Sequence, residues 1–327
     1  MKAIKILTMA ALATAVASCS NDEDLAQNNY PMDNVVRIMT SVDGMNTRAS
    51  YGNSTDKLKS FGFCIKNANS EKYTYDNIKV SQKGYNWIPA TQMLWQNSTT
   101  AVDILAYAPY QETTEDANGK VKVFGKTDYA FSVKEGQSNA EDYSSDLIVF
   151  KQTGFTPVLE LNTSKAVEVA FTHLLSQLNL IIELRDQFNT NNNTVTKGFV
   201  TDVKVNGTII RSKVDFSASP ISVQVDGTQT AAITPETTGF TPAENATAHA
   251  VFNYSAIVIP QTVAAGNFSI SFKVNNTEYI WTATDAVTFE SGKKHELHLL
   301  AGKDVVQGGA ISAIPWGDET ITEKETD

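Results

Sequence analysis

The 327-residue sequence is poor in cysteine, in histidine and in basic residues. Its only two cysteines are Cys19 and Cys64, and Cys19 lies at the end of an N-terminal leader, so no internal disulfide is expected. Stability must therefore come from packing. The 26 lysines and arginines are outnumbered by 36 aspartates and glutamates, which gives a formal net charge of -10. This acidic balance argues against nucleic acid or an anionic membrane surface as a partner.

The sequence also lacks the common signatures of catalytic and metal sites. It has no Walker loop, no G-x-G-x-x-G, no G-x-S-x-G and no EF-hand loop. His295 and His298 form the only close histidine pair, but alternate faces of a strand would keep them apart. For His173 we expect a hydrogen bond at a strand break, because no nucleophile signature accompanies it. We therefore predict no enzymatic activity, no catalytic residue, no cofactor and no metal site.

No segment of helical period is long enough for a crossover helix between parallel strands. Short stretches of alternating apolar and polar residues occur instead, and the clearest spans residues 167–184. Its alternation breaks over residues 173–177 and then resumes, which predicts a bulge or a handover from one sheet to another. Strands of similar character lie on both sides. The sequence thus predicts an all-β fold of two tandem β-sandwich halves.

The expected strands are short and lie between clusters of turn residues. In the first half they are residues 58–65, 73–80, 85–88, 101–107, 121–124, 129–133, 147–150 and 158–161. In the second half they are residues 199–210, with Asn206-Gly207 as a turn between two strands, then 221–225, 249–259, 268–274, 279–283 and 311–316.

The N-terminus has the pattern of a secretory signal. Lys2 and Lys5 precede an apolar stretch, residues 6–17, that is too short for a transmembrane helix. The sequence V-A-S-C at residues 16–19 resembles a bacterial lipobox, which implies acyl chains on Cys19 as a membrane anchor. A plain signal peptide with an accidental cysteine is the alternative. The acidic cluster at residues 20–24 resembles the surface-export signal of Bacteroidetes lipoproteins, or is a solvated linker.

A first strand is expected at residues 34–43. Alternation places four of its side chains on one face, Val36, Ile38, Thr40 and Val42. The sequence T-R-A follows at residues 47–49 among small and polar residues, where a protease could reach Arg48.

Several motifs, in matching order, resemble the fimbrillin family of Bacteroidales, which comprises outer-membrane pilins and pilus-associated lipoproteins. F-T-H-L-L-S-Q-L at residues 171–178 is similar to the family's F-x-H-x-L-S-x-L pattern. The other similar segments are D-I-L-A-Y-A-P-Y at residues 103–110, D-L-I-V at 146–149, S-A-I-V-I-P-Q at 255–261, E-S-G-K-K-H at 290–295 and I-S-A-I-P-W-G-D at 311–318.

The resemblance implies a specific organisation. A signal peptide (residues 1–18) would precede a lipidated propeptide with the first strand (19–48), and two transthyretin-like, Greek-key β-sandwich domains (49–165 and 166–327) would follow, the second with a short acidic tail. An Arg-specific protease would cut between Arg48 and Ala49, although Arg48 as an ordinary surface residue of a linker is the alternative. Loss of the first strand would open a groove for a strand from a neighbouring subunit. The candidate donor is the C-terminal strand, with Ile311, Ala313, Pro315 and Trp316.

The predicted function is therefore that of a stalk, tip or accessory subunit of a surface pilus that serves adhesion. Its expected partners are other copies or other pilus subunits, outer-membrane lipid through Cys19, the maturation protease, and a host or bacterial surface ligand. The alternative is a monomeric surface lipoprotein that binds glycan or a host ligand through exposed aromatic residues such as Trp87, Trp95 and Tyr110.

Overall fold

The computed structural model describes residues 29–42, 57–112, 123–189 and 195–316. The predicted all-β fold is confirmed, since strands dominate these residues. The helical segments in these ranges include one α-helical turn, α1 (Pro157–Glu160), and 3₁₀ turns at Glu71–Tyr73 and Asp186–Phe188. Within the described ranges, no helix has the length and apolar character needed to cross a membrane.

The first strands form a seven-stranded sheet. The strands are β1 (Ile38–Val42), β2 (Ser60–Lys66), β3 (Tyr75–Lys83), β4 (Asn86–Pro89), β5 (Val102–Ala108), β6 (Tyr129–Ser132), β7 (Ile148–Phe155) and β8 (Val167–His173). The sheet order is β1-β8-β7-β5-β2-β3-β4, so β1 and β4 are its outer strands. All neighbours are antiparallel except β1, which runs parallel to β8.

The remaining strands form smaller sheets. They are β9 (Ser176–Leu184), β10 (Val200–Ile209), β11 (Arg211–Asp215), β12 (Ser222–Val225), β13 (Thr230–Ile233), β14 (Glu236–Thr241), β15 (Ala250–Val258), β16 (Gln261–Val263), β17 (Ser269–Val274), β18 (Thr277–Thr282), β19 (Val287–Phe289), β20 (Lys293–Ala301), β21 (Val306–Gly308) and β22 (Ser312–Pro315). A six-stranded sheet has the order β14-β15-β9-β20, and β21 and β22 both pair with the free side of β20. The other sheets are β13-β10-β17-β18, β12-β11-β6 and β16-β19.

The predicted handover near residues 173–177 is confirmed. β8 ends at His173 inside the seven-stranded sheet, and β9 begins at Ser176 in the middle of the six-stranded sheet. On both sides of the break the alternation matches the burial, because every second residue of β8 and β9 is buried. Two residues therefore carry the chain from one sheet to the next.

Two hydrophobic cores result. The first core lies on one face of the seven-stranded sheet and includes Phe61, Phe63, Ile104, Val167 and Phe171. The second core contains the apolar residues of the later sheets, together with residues from the opposite face of the first sheet such as Cys64, Leu105 and Tyr107. In addition, β6 leaves the early part of the chain to pair with β11. The early and late strands thus share one core and one sheet.

Three expectations about strands are wrong. Residues 157–160 form α1 rather than a strand, because Pro157 has no backbone N–H to donate and suits the first turn of a helix. Of the strand expected at residues 121–124, residues 121 and 122 lie outside the described part of the chain, whereas Val123 and Phe124 lie outside any strand, and their backbone N–H groups donate to the Asp76 carboxylate. The segment with Asn206-Gly207 does not turn, since β10 continues through it. Gly207, at φ 91°, lies where the register shifts and forms a bulge.

Candidate functional site

The first candidate region is β1, an outer strand that contributes to the first core. Its pairing with β8 runs from Ile38 opposite Val167 to Val42 opposite Phe171, and the Val167 N–H also donates to the Arg37 carbonyl over 2.8 Å. Val36 and Ile38 are buried in the first core, whereas Thr40 is half-buried. β1 therefore completes both the sheet and the core, and among the described residues no strand is hydrogen-bonded to its other side.

The residues before β1 are held by a neighbouring loop. The Val36 N–H donates to the Met93 carbonyl over 3.0 Å, and the Trp95 N–H donates to the Asn34 carbonyl over 2.8 Å. Trp95 is buried, and its ring stacks on Phe155 with centroids 5.6 Å apart. Trp95 is thus a core residue and is not available as an exposed aromatic platform.

A pair of surface charges fixes the turn ahead of β1. Arg37 donates to both carboxylate oxygens of Asp33, over 3.0 and 2.6 Å, and the Val35 N–H donates to the same group. The hydrogen bond from Arg37 is the largest cause that lowers the pKa of Asp33 to about 2. Because both side chains are exposed, solvent screens the pair and it adds little to stability. The main effect of this ion pair is to offset the positive charge of Arg37 locally.

The second candidate region is the C-terminal strand. β22 pairs antiparallel with β20, from Lys293 opposite Pro315 to Glu296 opposite Ser312. Directly after it, Trp316 is buried, and its backbone N–H donates to the Gly292 carbonyl over 3.1 Å. Of the other predicted residues here, Ile311 is half-buried, and Ala313 and Pro315 are exposed.

Trp316 packs against the chain crossover between β8 and β9. Its ring lies parallel to that of His173, with centroids 3.9 Å apart and planes 2° apart. His173 Nδ1 lies 2.9 Å from Asp146 Oδ1, and both side chains are buried. The hydrogen bond expected for His173 at the strand break is therefore confirmed. We call Asp146, His173 and Trp316 the stacking cluster.

The sequence did not identify the stacking cluster as a unit. Its three members come from three of the motifs noted above, at residues 146–149, 171–178 and 311–318. The available signal was that each of these motifs contains one polar or aromatic residue of the cluster. Nothing in one sequence, however, indicates that these distant segments meet.

The other predicted site residues and histidines are distributed as follows. Cys19, Arg48 and Ala49 lie outside the described residues. His295 is buried and His298 exposed, so the two do lie on opposite faces of β20, and burial lowers the pKa of His295. His298 and His249 both contact Glu183. In the part of the chain that the structure describes, no group of three or more His, Cys, Asp or Glu side chains could hold a metal ion.

Comparison with known proteins places the chain in a family. The family model described as fimbrillin-like matches residues 47–316. No curated protein matches the chain. A solved structure of a candidate cell adhesion protein from Bacteroides uniformis has 19% identity and a TM-score of 0.57, over 88% of this chain and 99% of that chain.

Two further solved structures are similar. A candidate cell adhesion protein from Bacteroides ovatus has 13% identity and a TM-score of 0.59, over 88% of this chain and 99% of that one. A fimbrial protein from Bacteroides vulgatus has 18% identity and a TM-score of 0.53, over 86% and 99%. At these identities the structures show a common fold, whereas the family match extends over most of the sequence. The chain belongs to the fimbrillin-like family.

Proposed function

We propose that this protein is a structural subunit of a cell-surface fimbria, anchored as an outer-membrane lipoprotein through Cys19 and matured by cleavage after Arg48. One observation carries the proposal: β1 completes the first core from the edge of its sheet and ends only a few residues before Arg48. The fimbrillin-like family and the fold it has in common with a fimbrial protein support a structural rather than an enzymatic role.

Cleavage after Arg48 would remove a strand that the fold needs. The edge of β8, residues 167–171, would lose its backbone partners. The sites of Val36 and Ile38 would become vacant, and burial of each such aliphatic side chain is worth about 1.5–3 kcal/mol. An extended strand from another subunit would restore both the hydrogen bonds and the apolar contacts. Assembly by strand donation follows from this deficit.

The C-terminal segment is the proposed donor. β22 is a four-residue strand, and β20 would keep its pairing with β9 if β22 left. The stacking cluster then holds the end of this segment in place through the ring contact between His173 and Trp316. A segment at a sheet edge can be released at lower cost than a central strand, and β22 pairs with β20 alone among the described strands.

Controlled cleavage tests the proposal. The soluble chain from Ser20 onward would be treated briefly with an Arg-specific protease, and the new N-terminus and the particle mass would be measured. The backbones of Arg37, Arg185 and Arg211 are each hydrogen-bonded to another segment of the fold, so we expect the first cut after Arg48. Growth into SDS-resistant ladders that begin at Ala49 is the expected result. Arg48→Ala is the control and should remain intact and monomeric.

Two outcomes would contradict the proposal. If the protein is cut after Arg48 but stays monomeric, strand exchange between copies is wrong, and a tip subunit or a monomeric ligand-binding lipoprotein explains the chain better. If Arg48 resists cleavage while the other arginines are also intact, β1 is a permanent part of the fold. An anchor or a non-polymerising surface protein then becomes the better interpretation.

A further inference from the structure

A groove of about 750 Å³ lies between the two outer strands of the seven-stranded sheet. Residues 35–40, in and before β1, form one wall, and residues at the end of β3, in β4 and in the turn between them form the other. Gln92, Met93, Ser164 and Ala166 complete the lining. We call this the edge groove. It is separate from the stacking cluster and from β22.

The edge groove carries almost no charge available to a ligand. Arg37 is the only ionisable acid or base of the Asp, Glu, Lys, Arg or His types among its lining residues, all of which lie in the described ranges. Arg37 is already neutralised by its two hydrogen bonds to Asp33. Phosphate, nucleic acid and anionic lipid need unpaired cations, so this lining does not suit them.

Aromatic and amide side chains supply the groove's chemistry. Tyr85 stands fully exposed in the turn between β3 and β4, and the half-buried Trp87 is fixed by an edge contact with Phe61 at 5.1 Å between centroids. The amides of Gln82, Asn86 and Gln92 also line the groove. Each amide both donates and accepts hydrogen bonds, as each sugar hydroxyl does. Aromatic rings offer flat apolar surfaces to the C–H faces of a pyranose ring.

The close approach of the two outer strands argues against a peptide strand inserted between them. An inserted β-strand lies about 4.8 Å from each neighbour, so the flanking strands would have to be about 9.6 Å apart. Cα atoms of β1 and β4 approach each other to 8 Å or less. Where the two strands come this close, a strand hydrogen-bonded on both sides does not fit between them. We propose that the edge groove is a binding site for a neutral oligosaccharide, with Tyr85 and Trp87 as stacking surfaces and the amides as hydroxyl partners.

The proposed site depends on β1 and not on fimbrial assembly. Because β1 forms one wall, the site exists in the chain before cleavage after Arg48 and would lose that wall on removal of the strand. Sugar binding is therefore measured on the uncut monomer, whereas assembly is measured after cleavage. A negative result for sugar binding would therefore not contradict assembly, and a negative result for assembly would not contradict sugar binding.

An oligosaccharide array tests the site. The chain from Ser20 onward, with β1 in place, would be applied to defined neutral oligosaccharides of glucose, galactose, mannose and N-acetylglucosamine, next to sialylated and sulfated counterparts and extended peptides. The strongest neutral binder would then be titrated calorimetrically. Tyr85→Ala should weaken binding about threefold to tenfold, as expected for loss of one aromatic stacking contact. Tyr85→Phe should retain most of the affinity.

The control variant is Tyr110→Ala, which removes a partly exposed tyrosine from outside the groove. It should bind as the unmodified chain does, and Tyr85→Ala should not alter unfolding because the Tyr85 side chain is fully exposed. The proposal is overturned if no neutral oligosaccharide binds, or if only acidic glycans or peptides bind. It is also overturned if Tyr85→Ala leaves the affinity unchanged.

Discussion

Gly62 and Tyr107 show how one residue's size fixes a contact between neighbouring strands. They lie opposite each other on β2 and β5, and the Tyr107 ring covers the glycine. The Tyr107 hydroxyl donates to Asn77 Oδ1 over 2.7 Å, and its ring contacts Tyr129 and Phe216. Burial raises the pKa of Tyr107 well above its usual value, so it stays a hydrogen-bond donor. A side chain at position 62 would disturb all of these contacts.

We predict that Gly62→Ala lowers the free energy of unfolding by about 1–3 kcal/mol, the usual cost of overpacking a core. A Cβ atom there would lie 2.3 Å from Tyr107 Cε1 and 2.8 Å from Asn77 Oδ1. Urea unfolding followed by fluorescence measures the change. Gly198→Ala is the matched control, because a Cβ atom at Gly198 meets nothing within 4 Å. Equal effects of the two substitutions would refute the packing argument.

Cys64 allows a prediction about reactivity. Its buried thiol lies 3.2 Å from Asp76 Oδ1, and the Asn77 N–H donates to Sγ over 3.2 Å. Burial, followed by the negative charge of Asp76, raises the pKa of the Cys64 thiol well above its usual value. Since the thiolate is the reactive form, Cys64 should not react with a disulfide reagent at pH 8 in the folded chain and should react fully in denaturant. Fast labelling of the folded chain would contradict this assignment.

At the scale of elements, the docking of β22 depends on Trp316. We predict that Trp316→Ala makes the backbone amides of β22 exchange with deuterium about tenfold faster or more, since aromatic contact and burial together exceed about 1.4 kcal/mol. Amides of β9 provide the internal control, because β9 lies between β15 and β20 and does not touch β22 in the sheet. If β9 and β22 lose protection to the same degree, Trp316 stabilises the whole sheet and is not specific to the C-terminal strand.

The same scale shows which features a sequence can predict. The handover at residues 173–177 was predictable, because alternation is local and stops where the chain leaves its sheet. The conformation of Asn206-Gly207 was not predictable, because glycine permits both a turn and a bulge. A distant contact decides between them: a Cβ atom at Gly207 would lie 2.0 Å from the Asn267 carbonyl oxygen. The stacking cluster escaped prediction for a similar reason, since its three members meet only in the folded chain.

At the scale of the whole molecule, the first and last strands of the described residues both lie at sheet edges. β1 lies on an outer edge of the seven-stranded sheet, and β22 covers part of the edge of β20. Both segments are short and pair on one side only. A subunit that exchanges strands needs this arrangement, because one segment must be replaceable and another must be free to leave without unfolding the rest.

The replaceability of β1 can be tested by supplying it as a separate molecule. We predict that a synthetic peptide of residues 34–43 stabilises the chain that begins at Ala49. At a free peptide concentration of 100 times its Kd, the gain in unfolding free energy should be about 2.7 kcal/mol. Thermal unfolding at increasing peptide concentration measures this gain.

Two variant peptides serve as matched controls, because Ile38 is buried in the first core whereas Met39, the next residue, is 46% exposed. Ile38→Asp should abolish the stabilisation, since a charged side chain would have to enter the core, and Met39→Asp should leave most of it intact. If the two variant peptides stabilise the chain equally, the peptide does not bind in the position of β1, and strand replacement at this edge is wrong.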